Sequence, residues 1–156
     1  MTGNLESGLL LAATTLNGIL AGVSVGKAVV ELPAGRRLGP AEFARFSRAA
    51  DHGNGLVLYP LLGVGGPALT IIADLVGHSA AALPEGALAA LDIAVVLSVA
   101  HLGTTLMAAP RMLEVGRLGD DAPRLGTAYA RFTRWHHLRT ALQVATFLAC
   151  LLVLSA

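Results

Sequence analysis

Two adjacent histidines stand at the mouth of the last hydrophobic run of this chain, in the string Arg134-Trp135-His136-His137-Leu138-Arg139-Thr140. Gln143 follows, and residues 144–156 carry no charge. Side chains three and four apart stack on a helix, so His136, Arg139, Thr140 and Gln143 form one face. Imidazole exchanges a proton near neutral pH or ligates a transition metal, and a guanidinium holds an anionic or enolate-like oxygen. Groups of this kind are costly at the edge of a membrane span, so function is the first reading of them. His101 shares a face with Ser98 and Thr105 about midway along the third apolar run, and His52 leads into the second with Tyr59 on the same side. His101, His136 and Arg139 are therefore the candidate catalytic residues. Asn17, Ser24, Tyr59, Ser98, Thr105 and Gln143 are expected to line a cavity beside them.

His52, His101, His136 and His137 are also candidate metal ligands. Imidazole suits copper, iron, zinc or nickel; the scarcity of carboxylates nearby tilts the choice to copper or zinc, and redox chemistry would require copper or iron. Oxidation without a cofactor is an open alternative. Neighbouring residues on a helix point about 100 degrees apart, so one of His136 and His137 faces the cavity, and the Gln143 stripe favours His136. His101 lies some nine residues before Pro110, about 13 Å along a helix axis. One ion reaching His52, His101 and His136 thus requires span ends displaced by a turn or two.

The elements that position these groups are membrane helices. The chain is 54% hydrophobic and only 13% charged, with a mean hydropathy of +0.67, far from the balance of a soluble domain. Four stretches, roughly 8–30, 55–76, 86–109 and 138–156, have the length and apolarity to cross a bilayer. The expected fold is all-α: one membrane domain, a four-helix transmembrane bundle. All eleven basic residues flank the first and third connections. The positive-inside rule then puts both connections in the cytoplasm and both termini outside, within the cytoplasmic membrane if the cell is bacterial. Nothing before the first run resembles a cleavable signal. The single cysteine, Cys150, lies in an apolar run and reads as a packed thiol.

Within the spans, Gly18, Gly22 and Gly26 recur at the spacing that lets helices approach closely, a face also suited to a homo-oligomer. Asn17, Ser24 and Glu31 form a polar stripe expected to face the bundle interior. Pro33, Gly35, Gly39 and Pro40 are expected to end the first helix, and Pro110 the third. Stretches 41–52 and 122–137 read as amphipathic lead-in helices at the cytoplasmic interface. Pro60, Gly63, Gly65, Gly66 and Pro67 predict an irregular second span.

Phe43-Ala-Arg-Phe-Ser-Arg48 is echoed by Tyr129-Ala-Arg-Phe-Thr-Arg134, and Arg37-Leu-Gly39 by Arg117-Leu-Gly119. A duplicated helical hairpin, two plus two, is the expected origin, with the site at the junction of the copies. Only the second copy continues into His136-His137-Leu138-Arg139.

The Gly22 to Gly26 region, Leu32-Pro33-Ala34, Gly39-Pro40, the stretch from His101 to Pro110-Arg111, and Trp135 followed by His136-x-x-Arg139-Thr140 are similar to the anthrone oxygenase-like membrane proteins. That resemblance spans essentially the whole chain. It departs where many members carry Pro-x-Asn after the third span and an Asn near the fourth-span Arg; this chain has Pro110-Arg111-Met112 and His136-His137. The resemblance implies four spans and an oxidase or oxygenase acting on a small hydrophobic, anthrone- or phenol-like substrate delivered from the lipid bilayer. The alternatives are a non-enzymatic protein that binds or carries a hydrophobic ligand or metal ion, and a packing subunit of a membrane complex. Hydrolysis by a serine triad and nucleotide chemistry lack their motifs, and nucleic acid is no expected partner.

Overall fold

A computed structural model describes residues 2–51, 53–80, 83–118 and 122–156, and within these the chain is helical with no strand. Helix α1 spans Thr2–Gly26 and runs through a π-helical turn, Lys27–Glu31, into α2, Leu32–Leu38. Then come α3 (Pro40–Asp51), α4 (Gly55–Ala80), α5 (Glu85–Arg117) and α6 (Ala122–Leu154). Four stretches are long and apolar enough to cross a membrane: Leu5–Leu38, Gly55–Ser79, Glu85–Val115 and Pro123–Leu154.

The four long helices form an antiparallel ring in which α1 packs on α4 and α6, and α5 packs on the same two. Leu10, Ala73, Ala87, Leu91 and Val153 close one end, with Ala94, Ala149 and Cys150 beneath them. Leu32, Phe43 and Phe132 fill the other end, and Ala44, Val115, Leu125 and Ala128 seat α3 on α5 and α6. Many large apolar side chains face outward, Val57, Val96 and Leu106 among them. A bilayer supplies their surroundings, so the core is free to carry polar groups. Every lysine and arginine lies at the Phe43 end, whereas Glu6, Asp74, His78, Glu85 and Asp92 lie at the other.

Three expected boundaries shift. The first helix does not stop at Pro33: that proline sits in the first turn of α2, directly after the π-helical turn, and the break falls at Gly39 (φ +89°), a backbone state that suits glycine. Gly35 is needed for a separate reason, since a Cβ there would collide with the Phe43 ring. Pro110 lies inside α5, which continues to Arg117. The lead-in expected at 122–137 is continuous with the fourth span as α6, whereas its counterpart α3 is a separate helix. Continuity of the α-helix through such interfaces is favoured because each broken turn would leave backbone groups unpaired near lipid.

Candidate functional site

A cavity of about 320 Å³ lies between the polar middle of the bundle and its basic end. Its wall comes from all four long helices: Leu20, Val23, Ser24 and Lys27; Leu56, Tyr59, Gly63 and Val64; His101, Thr105, Ala108 and Met112; Phe132, His136, Arg139 and Gln143. Most of that surface is apolar; its polar groups are His101, Thr105, His136, Arg139 and Gln143 on α5 and α6, faced by Ser24, Lys27 and Tyr59. Such a pocket takes a largely hydrophobic molecule and orients it by a few polar contacts.

The α6 stripe read from the sequence is built as expected. His136 is fully buried, with Nε2 donating to the Ser24 carbonyl on α1 at 3.2 Å. Its Nδ1 accepts from Arg139 Nη2 at 3.1 Å. Thr140 Oγ1 donates to the His136 carbonyl at 2.8 Å, and the Phe132 ring stacks on the imidazole at 5.5 Å between centroids. These contacts fix one neutral tautomer, with the proton on Nε2. Two turns further along α6, Gln143 Nε2 lies 2.8 Å from His101 Nε2 on α5, and Thr105 Oγ1 is 3.2 Å from that same nitrogen. With the amide donating, the neutral His101 ring carries its proton on Nδ1. Gln143 Oε1 is buried without a hydrogen-bond partner among the described residues. Turning the amide over would move that deficit to the NH2, so one end of Gln143 stays unanswered by protein.

His101, His136, Arg139, Ser24, Tyr59, Thr105 and Gln143 thus converge on one cavity. Asn17 and Ser98 do not. Asn17 Nδ2 donates to Thr70 Oγ1 and to the Ala13 carbonyl, both at 2.9 Å, so it fastens α1 to α4. Ser98 is buried one turn from His101, outside the cavity wall. Its burial follows from the stripe it shares with His101, and its hydroxyl has no hydrogen-bond partner among the described residues.

The histidines are not gathered around a single point. His137 is exposed on the neighbouring face of α6, its ring centroid 6.4 Å from that of His136 and outside the cavity wall, and His52 lies outside the described residues. His101 meets α6 seven residues beyond His136, about 10 Å along the axis. Both ring nitrogens of His136 are occupied, the lone pair of Nδ1 by a guanidinium, which leaves that imidazole without a free donor for an ion. Among the described residues no group of three ligating side chains includes His101 or His136. The one such group is Asp74, His78 and Asp92 at the opposite end, where His78 Nε2 lies 2.9 Å from Asp92 and 3.6 Å from Asp74.

Lys27 is the site residue that the sequence reading passed over as a loop flank. It is buried, and its ammonium lies 5.4 Å from the Tyr59 ring centroid and 5.7 Å from that of Phe132. Cation–π contact of this kind compensates part of the desolvation. The signal was present: Lys27 lies three residues after Ser24 and four before Glu31, on the polar stripe of α1. It opens the π-helical turn, a local widening that often accompanies functional sites. In comparisons with known proteins, no family model, no curated protein and no solved structure matches this chain.

Proposed function

We propose that the chain is a membrane oxidase that acts on a small, lipid-soluble ring compound with a phenolic or enolisable ketone oxygen. The observation carrying this reading is the placement of two buried imidazoles, a guanidinium and an amide with one unanswered end on the wall of an otherwise apolar cavity. The similarity of the Trp135 to Thr140 stretch to the anthrone oxygenase-like proteins points the same way. In this reading the substrate oxygen draws the Gln143 amide off His101 Nε2, that nitrogen then takes the proton from the ring CH2 or hydroxyl, and Arg139 with Lys27 favours the negative charge that develops on the oxygen. Dioxygen from the bilayer is the oxidant: a ring CH2 loses two hydrogens and gains one oxygen atom as a carbonyl, and the second oxygen leaves as water. His136, held by Ser24 and Arg139, keeps the guanidinium aimed.

A second reading, binding or carriage without chemistry, is favoured by the internal satisfaction of His136. The two separate on one assay. Anthrone is supplied to the protein in nanodiscs, and formation of anthraquinone is followed for wild type, His101→Ala and His137→Ala. Turnover above empty nanodiscs that His101→Ala abolishes and His137→Ala leaves intact supports the oxidase. Saturable anthrone binding without turnover leaves only the carrier, and neither binding nor turnover refutes both readings.

The basic end is proposed to face the cytoplasm, with both termini outside. Gly22 and Gly26, at which an added Cβ meets nothing, support a homo-oligomer face. The paired Phe43 and Tyr129 hexapeptides lie at the same end of the ring, which suits an origin by duplication.

A further inference from the structure

The cavity has an unfinished wall. Helices α4 and α5 are drawn together at the acidic end, where Ala73 packs with Ala87 and Leu91 and His78 meets Asp92 at 2.9 Å. Gly77 there packs closely on the start of α5 and the chain just before it: a Cβ would crowd Leu83 at 3.1 Å and touch Leu88 and Leu91 at 3.5 and 3.6 Å. Towards the basic end the side chains of both helices turn outward instead. Leu56 and Val64 on α4 are 57% and 58% exposed, and Leu113 on α5 is 41% exposed, yet all three line the cavity. Pro60 and Ala109 complete this rim and are also exposed. Pro60 and Pro67 lie inside α4, which stays helical from Gly55 to Ala80 against the irregular second span expected, and each removes one backbone hydrogen bond there. Gly63, between Leu56 and Val64, is itself buried on the cavity wall just behind this rim, and a Cβ there would meet no atom within 4 Å.

We propose that the cavity is loaded sideways, from the bilayer, through a portal between α4 and α5 rimmed by these apolar side chains, and that its ligand carries an alkyl tail which remains in the portal. No charged residue stands on this rim, so a hydrocarbon chain crosses it without desolvating anything. Opposite the opening, His101, Gln143 and Arg139 receive the polar end. The substrate class narrows to ring compounds whose polar oxygen lies at one end and whose apolar substituent extends from the other. This narrowing rests on the cavity being a ligand site; the portal itself does not.

The portal is tested with the bilayer as its own probe. Trp135→Phe removes the sole tryptophan, and Phe132→Trp then places one on the cavity wall. The protein is reconstituted in phosphatidylcholine brominated at mid-chain and in the unbrominated lipid. Bromine quenches only on close contact, so entry of an acyl chain should cost the cavity tryptophan about half the fluorescence lost by a Val57→Trp reporter on the lipid face. Adding Gly63→Leu, which fills the opening, should restore most of it. No quenching at position 132, or quenching that Gly63→Leu leaves unchanged, overturns the portal. Should Phe132→Trp not fold, Met112→Trp reports from the same cavity. Portal failure with His101-dependent anthrone turnover intact would leave the oxidase and move its entrance elsewhere; a quenched reporter without anthrone binding or turnover would leave a lipid-filled groove.

Discussion

Replacing Gln143 by leucine separates a working polar group from a structural clamp. The two side chains have similar volume, so packing between α5 and α6 is largely kept. What is lost is the 2.8 Å contact to His101 Nε2, and interhelical hydrogen bonds inside membranes are worth about 0.6 to 1 kcal/mol. What is gained is removal of the buried Oε1, which has no hydrogen-bond partner among the described residues; an unanswered group of this kind costs about 1 to 3 kcal/mol. His101 keeps Thr105 Oγ1 at 3.2 Å. The gain equals or exceeds the loss, so unfolding free energy measured in bicelles should stay unchanged or rise by up to about 2 kcal/mol. Anthrone turnover should nonetheless fall tenfold or more, since about 1.4 kcal/mol of lost positioning in the transition state is enough for that. A loss of stability above about 2 kcal/mol, with the lost turnover explained by the unfolded fraction, would refute the reasoning and make Gln143 a clamp.

Other substitutions sort the remaining roles. Asn17→Leu and Thr70→Val, made singly and together, should show a coupling of about 0.6 to 1 kcal/mol in unfolding and leave anthrone binding unchanged, because this pair joins α1 to α4 away from the cavity. Gly35→Ala should destabilise by about 1 to 3 kcal/mol through collision with Phe43, whereas Gly22→Ala should be near neutral in the same unfolding assay. Lys27→Met should weaken anthrone binding, read by isothermal titration in detergent; unchanged affinity would remove Lys27 from the site. In labelling from outside the cell with an impermeant thiol reagent, Ser79→Cys should react and Ala41→Cys should not; the reverse pattern would invert the proposed orientation.

Much of this molecule is written in local pattern. Four apolar runs of membrane length dictate four helical spans, because runs of about 20 residues suit a helix, which pairs every backbone group within its own segment, and the clustering of every basic residue beside two connections marks one end of the bundle. The face formed by His136, Arg139, Thr140 and Gln143 follows from helical period alone, and the structure buries His136, Thr140 and Gln143 as that period requires. Tertiary structure decided which stripe meets a cavity and which meets a helix. Asn17 and Ser24 share one stripe of α1, yet the first faces Thr70 and the second faces His136, since α4 and α6 reach that stripe at different depths. Lys27 shares that stripe by helical period, but the π-helical turn that begins at it is nothing helical period can announce. His101 and His136 share a cavity but not a depth, a fact fixed by how α5 and α6 slide past each other. The sequence set the chemistry that each helix carries; the relative rotation, slide and bending of the helices set which groups share a space.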